Sequence, residues 1–160
     1  MFEIGAITDQ ADMDFEKALK FIKGLGMEYV ELHALWNKNI EELSDEEISD
    51  AERLVKKYGL KVSLISSTLF LQCHLFENAS KFGPIDDYFI TIAGDYGYHM
   101  KALKRCITLC DIFDTDKIRI FGFIKEDPSI DEDTAVEKVK ERLTEPIETV
   151  SYTHLRAHET

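Results

Sequence analysis

One repeated phrase constrains this chain more than any single residue. GLGMEYVEL, YGLKVSLIS and DTDKIRIFG each close a helix, turn, and enter a strand rich in Val and Ile. The first strand, FEIGAIT (Phe2 to Thr8), precedes a helix carrying Phe15, Leu19, Ile22 and Leu25 at helical spacing, capped by Asp12 or Asp14. EYVELH (Glu28 to His33) is the second strand. Ser44 and Glu47 then form a capping box before a helix with Ile48, Ala51, Leu54, Val55 and Tyr58 inward, which stops at Gly59. LKVSLIS (Leu60 to Ser66) is the third strand. A long connection from Ser67 to about Gly97 leads to a helix carrying Leu103, Ile107, Cys110 and Phe113. KIRIFGF (Lys117 to Phe123) is the fourth strand. Ser129 and Glu132 repeat the capping-box spacing before a last helix around Ala135, Val136, Val139 and Leu143.

The resulting order, βαβαβαβα, predicts an α/β fold with a parallel sheet covered by helices. An open doubly wound sheet and a closed (β/α)8 barrel both satisfy it. No G-x-G-x-x-G follows the first strand, so the main dinucleotide signature is missing. A barrel typically needs about 250 residues, so four βα units amount to the N-terminal half of a TIM barrel.

The final stretch, VSYTHLRAHET, departs from this grammar. It has no apolar period and no cap or turn signal. Written back into codons, it resembles the transposase adapter of sequencing libraries. The expectation is therefore a native unit over residues 1–149, followed by a non-native tail over 150–160 that is set aside from the fold.

A net charge of −12, with no Lys/Arg block, disfavours phosphate backbones and anionic membranes. Apolar residues at 44% suffice for a core, yet no apolar run approaches the roughly 20 residues that a membrane span needs. Cys73, Cys106 and Cys110 are odd in number and lack C-x-x-C, which fits buried thiols in a reducing compartment. Cys106 and Cys110 share a helix face and read as core. With no export signal visible, the expectation is a cytoplasmic protein.

In a barrel the active site forms at the C-terminal ends of the strands. Side chains alternate across a strand, so Val30 and Leu32 face the helices while Tyr29, Glu31 and His33 face the interior. In the fourth strand Ile118 and Ile120 face the helices, and Arg119, Phe121 and Phe123 point inward. Glu31, His33 and Arg119 aimed at one cavity could bind a polyol or phosphate, and His33 could act as general acid or base or as a metal ligand. Equally, Glu31 and Arg119 could form a buried structural ion pair. Trp36 and Phe123 could wall a sugar pocket or simply fill space under a loop. His74 and His99 lie off the strand ends and read as surface or packing residues.

FEIGAITDQ, GMEYVELHALWNKNIEELSDEE, KKYGLKVSLISS and DTDKIRIFGF together resemble the xylose-isomerase-like TIM-barrel family of sugar phosphate isomerases and epimerases. The resemblance spans nearly all of Met1 to Thr149 and implies metal-assisted proton transfer through an enediolate. Its divalent ion (Mn, Mg, Co or Zn) would be held by Glu, Asp, His and Glu on later strands, beyond residue 149. No metal ligand is therefore expected in this stretch, which alone would be inactive. Within residues 1–149 the resemblance leaves His33 and Glu31 as catalytic candidates, and Trp36, Arg119 and Phe123 as substrate-binding ones. The implied partner is a small sugar or sugar phosphate, without nucleic acid or membrane, in a possible homo-oligomer. Three rival functions remain open. One is a lyase dehydrating an inositol-derived ketone, and another a barrel that binds sugar without turnover. The third, an apurinic-site endonuclease, is disfavoured by the charge and by three His outside the tail.

Overall fold

The computed structural model describes residues 4–77 and 89–157, with the side chains of 152–157 set aside. Its framework is a four-stranded parallel sheet in the order β1 (Gly5–Ile7), β2 (Tyr29–Leu32), β5 (Lys61–Leu69), β6 (Ile118–Ile120). A short turn of helix, α1 (Thr8–Ala11), follows β1, and α2 (Phe15–Gly24) precedes β2. The two-residue strands β3 (Ala34–Leu35) and β4 (Lys38–Asn39) form an antiparallel hairpin ahead of α3 (Asp45–Lys57). Then α4 (Tyr96–Phe113) leads into β6, and α5 (Glu132–Ala157) closes the chain. The alternation read from sequence is thus realised as parallel α/β layers. The hairpin and the short α1 are additions to that reading.

Local chemistry explains the boundaries. Asp14 caps α2 by accepting from the Lys17 amide at 3.1 Å, and Ser44 and Glu47 complete a reciprocal capping box on α3. Each such cap is worth about 1 kcal/mol. Gly59, at φ +58°, takes the left-handed position that ends α3, where L side chains are strained. Gly5 is required for another reason: a Cβ there would lie 3.0 Å from the Tyr29 carbonyl oxygen, so β1 approaches β2 too closely for a side chain. At the start of α5 the expectation is corrected. Ser129 donates its hydroxyl to Asp127, while Asp131 caps the helix by accepting from the Thr134 amide at 2.9 Å. An Asp one position before the helix outcompetes a Ser already engaged in its own turn.

The core lies between the sheet and α2, α3 and α4. Phe15, Leu19, Ile22, Ile48, Leu54, Leu103, Cys106 and Cys110 meet Val30, Leu32, Ile65 and Leu69 there. A fully buried aliphatic or aromatic side chain of this kind contributes about 1.5–3 kcal/mol. Leu25, expected inward, is exposed because α2 ends at Gly24 and its face is lost one residue later. All three cysteines are buried free thiols, and burial pushes Cys73 up to about 12 and Cys110 up to about 11. No described helix is long and apolar enough to cross a membrane.

Between Ile65↔Ile118 and Leu69↔Ile120, four residues of β5 pass two of β6, so the ladder skips. A smaller irregularity leaves Ser63 without a register partner on β2, and its hydroxyl donates to the Val30 carbonyl instead. The first skip exposes backbone carbonyls on β5 that another group must satisfy.

The terminal segment also departs from expectation. The helix continues through Val150 to Ala157, and Val150 is half-buried against the core. Pro146 sits inside α5 and is buried. A helix already propagating adds residues at low cost, so the segment needs no apolar period of its own.

Candidate functional site

The C-terminal ends of β1, β2, β5 and β6 gather a compact polar set. Thr8 leaves β1 buried, with its hydroxyl donating to the Glu31 carbonyl at 3.3 Å, and this seats α1 beside β2. Asp9 follows on α1. Its Oδ2 lies 2.8 Å from Nδ1 of His33, the residue that leaves β2. The pair is buried, with 2% of the His33 side chain and 8% of the Asp9 side chain exposed. On the other side of the ring, Nε2 is 2.9 Å from the Ile90 carbonyl oxygen, and the imidazole stacks on Phe89 at 5.0 Å.

These partners fix where protons sit. A backbone carbonyl only accepts, so Nε2 carries a hydrogen. The short Nδ1···Oδ2 approach then needs a proton of its own on that axis, because two lone pairs facing each other would repel. Asp9 Oδ1, the second carboxylate oxygen, is buried with no hydrogen-bond partner among the described residues. A buried acceptor without a donor is costly unless something supplies one.

Glu31 and Arg119 reach the same stretch of β5 from opposite sides. The Ser66 hydroxyl donates to Glu31 Oε2 at 3.2 Å. Arg119 donates through Nε to the Ser67 carbonyl at 3.0 Å and through Nη2 to the Ser66 carbonyl at 2.6 Å. These are carbonyls that the skipped ladder leaves open. Desolvation by burial lowers the pKa of the guanidinium, while the nearby Glu31, Asp9 and Glu41 carboxylates oppose that shift. The ion pair expected as the structural alternative is therefore replaced by two separate attachments to β5. Arg119 also lies over the Phe121 ring at 5.0 Å.

Glu41, on the 3-10 turn after the hairpin (Ile40–Glu42), approaches β5 from the opposite face. It accepts from the Ser67 hydroxyl at 2.9 Å, while its Oε2 has no partner among the described residues. Burial raises its pKa, with the Ser67 hydrogen bond working against that shift. Ser66 faces Glu31 and Ser67 faces Glu41, as strand alternation requires.

The aromatic candidates stand apart from the His33 pair. Trp36 sits at φ +52° in the hairpin turn with Asn37 at +63°, and meets Phe15 edge-on at 5.4 Å. Phe123 joins Phe70 and Tyr96 in a cluster with centroids 5.3 and 6.4 Å away. His99 packs in the same cluster. Its Nδ1 accepts from the Phe70 amide at 3.0 Å, and burial lowers its pKa to about 4. His74 is half-buried near Glu77 and Glu126.

Sequence reasoning missed Asp9, Glu41, Ser66 and Ser67. Asp9 had a signal, since it follows β1 at the position corresponding to His33 after β2. Glu41 had none, because nothing in NIEEL distinguishes an inward carboxylate from a solvated one.

No protein-family model matches the chain, and no curated protein matches it. Its fold is shared with solved structures, among them the two that follow. The probable 3-DHS dehydratase AsbF involved in petrobactin synthesis, from Bacillus anthracis, superposes with a TM-score of 0.61 at 17% identity, over 94% of this chain and 49% of that one. The 3-keto-D-glucoside 4-epimerase YcjR from E. coli gives 0.57 at 15% identity, over 96% of this chain and 53% of that one. The chain spans about half the length of these structures. Likeness at this identity establishes the fold, a parallel α/β arrangement corresponding to part of a TIM barrel.

Proposed function

We propose that the four βα units supply half the active site of a sugar or sugar-phosphate isomerase or epimerase of the xylose-isomerase-like kind. The observation carrying this reading is the buried His33–Asp9 pair at the rim. It offers a hydrogen-bond donor at Nε2 on one side of the ring and, on the Nδ1 side, a carboxylate oxygen, Asp9 Oδ1, that has no donor among the described residues. Vicinal hydroxyl and carbonyl groups of a sugar match that combination of donor and acceptor. In this proposal a substrate oxygen replaces the Ile90 carbonyl at Nε2, and His33 delivers or holds the proton there. Asp9 keeps the ring oriented, while Glu31 presents a second carboxylate on the inner face.

The family resemblance implies a divalent metal. Among the described residues no group of three or more His, Cys, Asp or Glu could hold one, and both ring nitrogens of His33 are already engaged. The described residues do not by themselves fit a metal site. Our proposal places any such ion with βα units other than these four, and no step is routed through it.

A dehydratase is the second reading, supported by the likeness to a probable 3-DHS dehydratase. Both readings start with removal of a proton next to a carbonyl. The test is incubation of the full-length protein that contains residues 1–149 with ketoses, aldoses and their phosphates in deuterated water. An isomer or epimer carrying one solvent deuterium supports the first reading. Loss of water from the substrate supports the second. Binding without exchange or elimination would make the barrel a sugar-binding module and end both.

A further inference from the structure

Before it reaches α4, the connection that follows β5 returns across the rim. Ile92 is buried there, and its amide donates to the Thr68 hydroxyl oxygen at 3.0 Å. Thr91 accepts on its hydroxyl from the Gln72 side-chain amide at 2.7 Å. Thr68 belongs to β5 and Gln72 to the turn directly after it. Just before this anchor, Phe89 and Ile90 are half-buried and lie on His33. The Phe89 ring stacks on the imidazole at 5.0 Å and 23°, and the Ile90 carbonyl accepts from Nε2 at 2.9 Å. These contacts involve β2, β5 and the chain that follows each, the two central strands of the sheet, so they are independent of what borders β1 and β6.

The cover meets one need of the buried pair and leaves another. Ile90 gives Nε2 an acceptor. Asp9 Oδ1 stays buried with no hydrogen-bond partner among the described residues, and the apolar Phe89 brings no donor to this side of the rim. A buried acceptor without a donor is costly. A polyol carries acceptor oxygens and hydroxyl donors on neighbouring carbons, so it can satisfy Nε2 and Asp9 Oδ1 where the chain's own residues satisfy Nε2 alone. Such a difference in interaction is what lets a ligand shift the population between two arrangements.

We propose that Phe89 and Ile90 form a strap that occupies the substrate's place on His33 and withdraws from the Thr91–Ile92 anchor outward when a polyol binds. The inference rests on the role given to His33 above and adds that the ligand-free protein blocks its own site. It accounts for a rim histidine whose side chain is only 2% exposed. One neutral hydrogen bond and one aromatic stack favour the closed strap about 10- to 100-fold over the open one. Apparent affinity for the ligand falls by the same factor. Loosening the strap should therefore tighten binding, the opposite of what removal of a pocket wall does.

The test reads His33 directly in the full-length protein. Deuterium exchange at the ring carbon between its two nitrogens, followed across pD by mass spectrometry, requires solvent at the imidazole and needs no substrate. Phe89→Ala should raise the plateau rate at His33 about fivefold or more. Phe89→Leu removes the ring but keeps apolar bulk, and should accelerate His33 in the same sense. His99, buried in the Phe70 cluster, is the internal control and should stay slow throughout. An unchanged His33 rate in both variants would overturn the strap, as would equal acceleration of His99. With a ketose, aldose or phosphate that the protein turns over, Phe89→Ala should lower KM about fivefold or more. A raised KM would make Phe89 a pocket wall and overturn its displacement. If no sugar reacts, the isomerase reading fails, while the exchange rates still decide whether the strap opens.

Discussion

Glu31 and Arg119 share one partner: Ser66 gives its hydroxyl to Glu31 and takes a hydrogen bond on its carbonyl from Arg119. The two inner-face charges are thus tied to β5 rather than to each other. Their roles separate accordingly. Arg119→Met should cost about 2–3 kcal/mol, since two carbonyls left open by the skipped ladder lose a charged donor. Glu31→Gln keeps an acceptor for Ser66 and should cost less than about 1 kcal/mol. Urea midpoints of the two variants measure the difference, and equal losses would refute this division of roles.

The His33–Asp9 pair predicts a kinetic effect that must be read against stability. His33→Ala should lower kcat/KM about tenfold or more, or at least ~1.4 kcal/mol of transition-state stabilisation. Burial and two hydrogen bonds mean that the same change also lowers the melting temperature, by leaving Asp9 and the Ile90 carbonyl unpartnered. Asp9→Asn discriminates between roles. If Asp9 orients the ring, its pH–rate profile shifts while substrate KM stays within about twofold. An unshifted profile would remove Asp9 from the mechanism.

Two buried groups pull the acid stability in opposite directions. His99 has its pKa lowered to about 4 by burial, so the unfolded chain binds more protons than the native one between the ordinary imidazole value of 6.5 and about 4. Its contribution is complete above 6.5 and falls with decreasing pH, at up to about 1.4 kcal/mol per unit. Glu41 is raised by burial, so its contribution is complete below 4.5 and is lost as pH rises through its folded value. Glu41→Gln should therefore stabilise the protein at pH 8 relative to wild type, with the gain vanishing at pH 4. A pH-independent difference would show that the carboxyl is not the cause.

Removal of residues 150–160 should cost about 1 kcal/mol, because half-buried Val150 leaves its groove beside Ile118 and Ile147. Thermal melts of the two lengths give the comparison. A Val150→Ala variant should account for most of the loss. No change on truncation would show that the helix end adds nothing to the fold.

Element type was readable wherever a local signal existed. The capping box at Ser44, the stop at Gly59 and the alternation in YVELH each depend on a few adjacent residues, and each is realised. The site was only half legible. His33 and Glu31 followed from strand parity. The partner of His33 lies 24 positions earlier on another unit, and Glu41 reaches Ser67 across 26 positions, distances over which periodicity carries nothing. Arg119 was placed on the correct face, yet its attachment to the β5 backbone depends on a register skip that no pattern in KIRIF announces. The hairpin escaped notice because a Trp36-Asn37 turn places a bulky residue at positive φ, where Gly or Asn is the usual cue.

The spatial sequence of strands in the four-stranded sheet repeats their sequence along the chain. Each new strand therefore joins the edge left by the one synthesised before it, and none must thread between two strands already paired. A nascent chain emerging from the ribosome can lay down this sheet in the order of translation. Strand–strand pairing then closes one connection at a time, residues 8–28, 33–60 and 70–117 in turn, and the entropic cost of each closure grows only slowly with its length. Assembly from one end toward the other is the folding route that this topology favours.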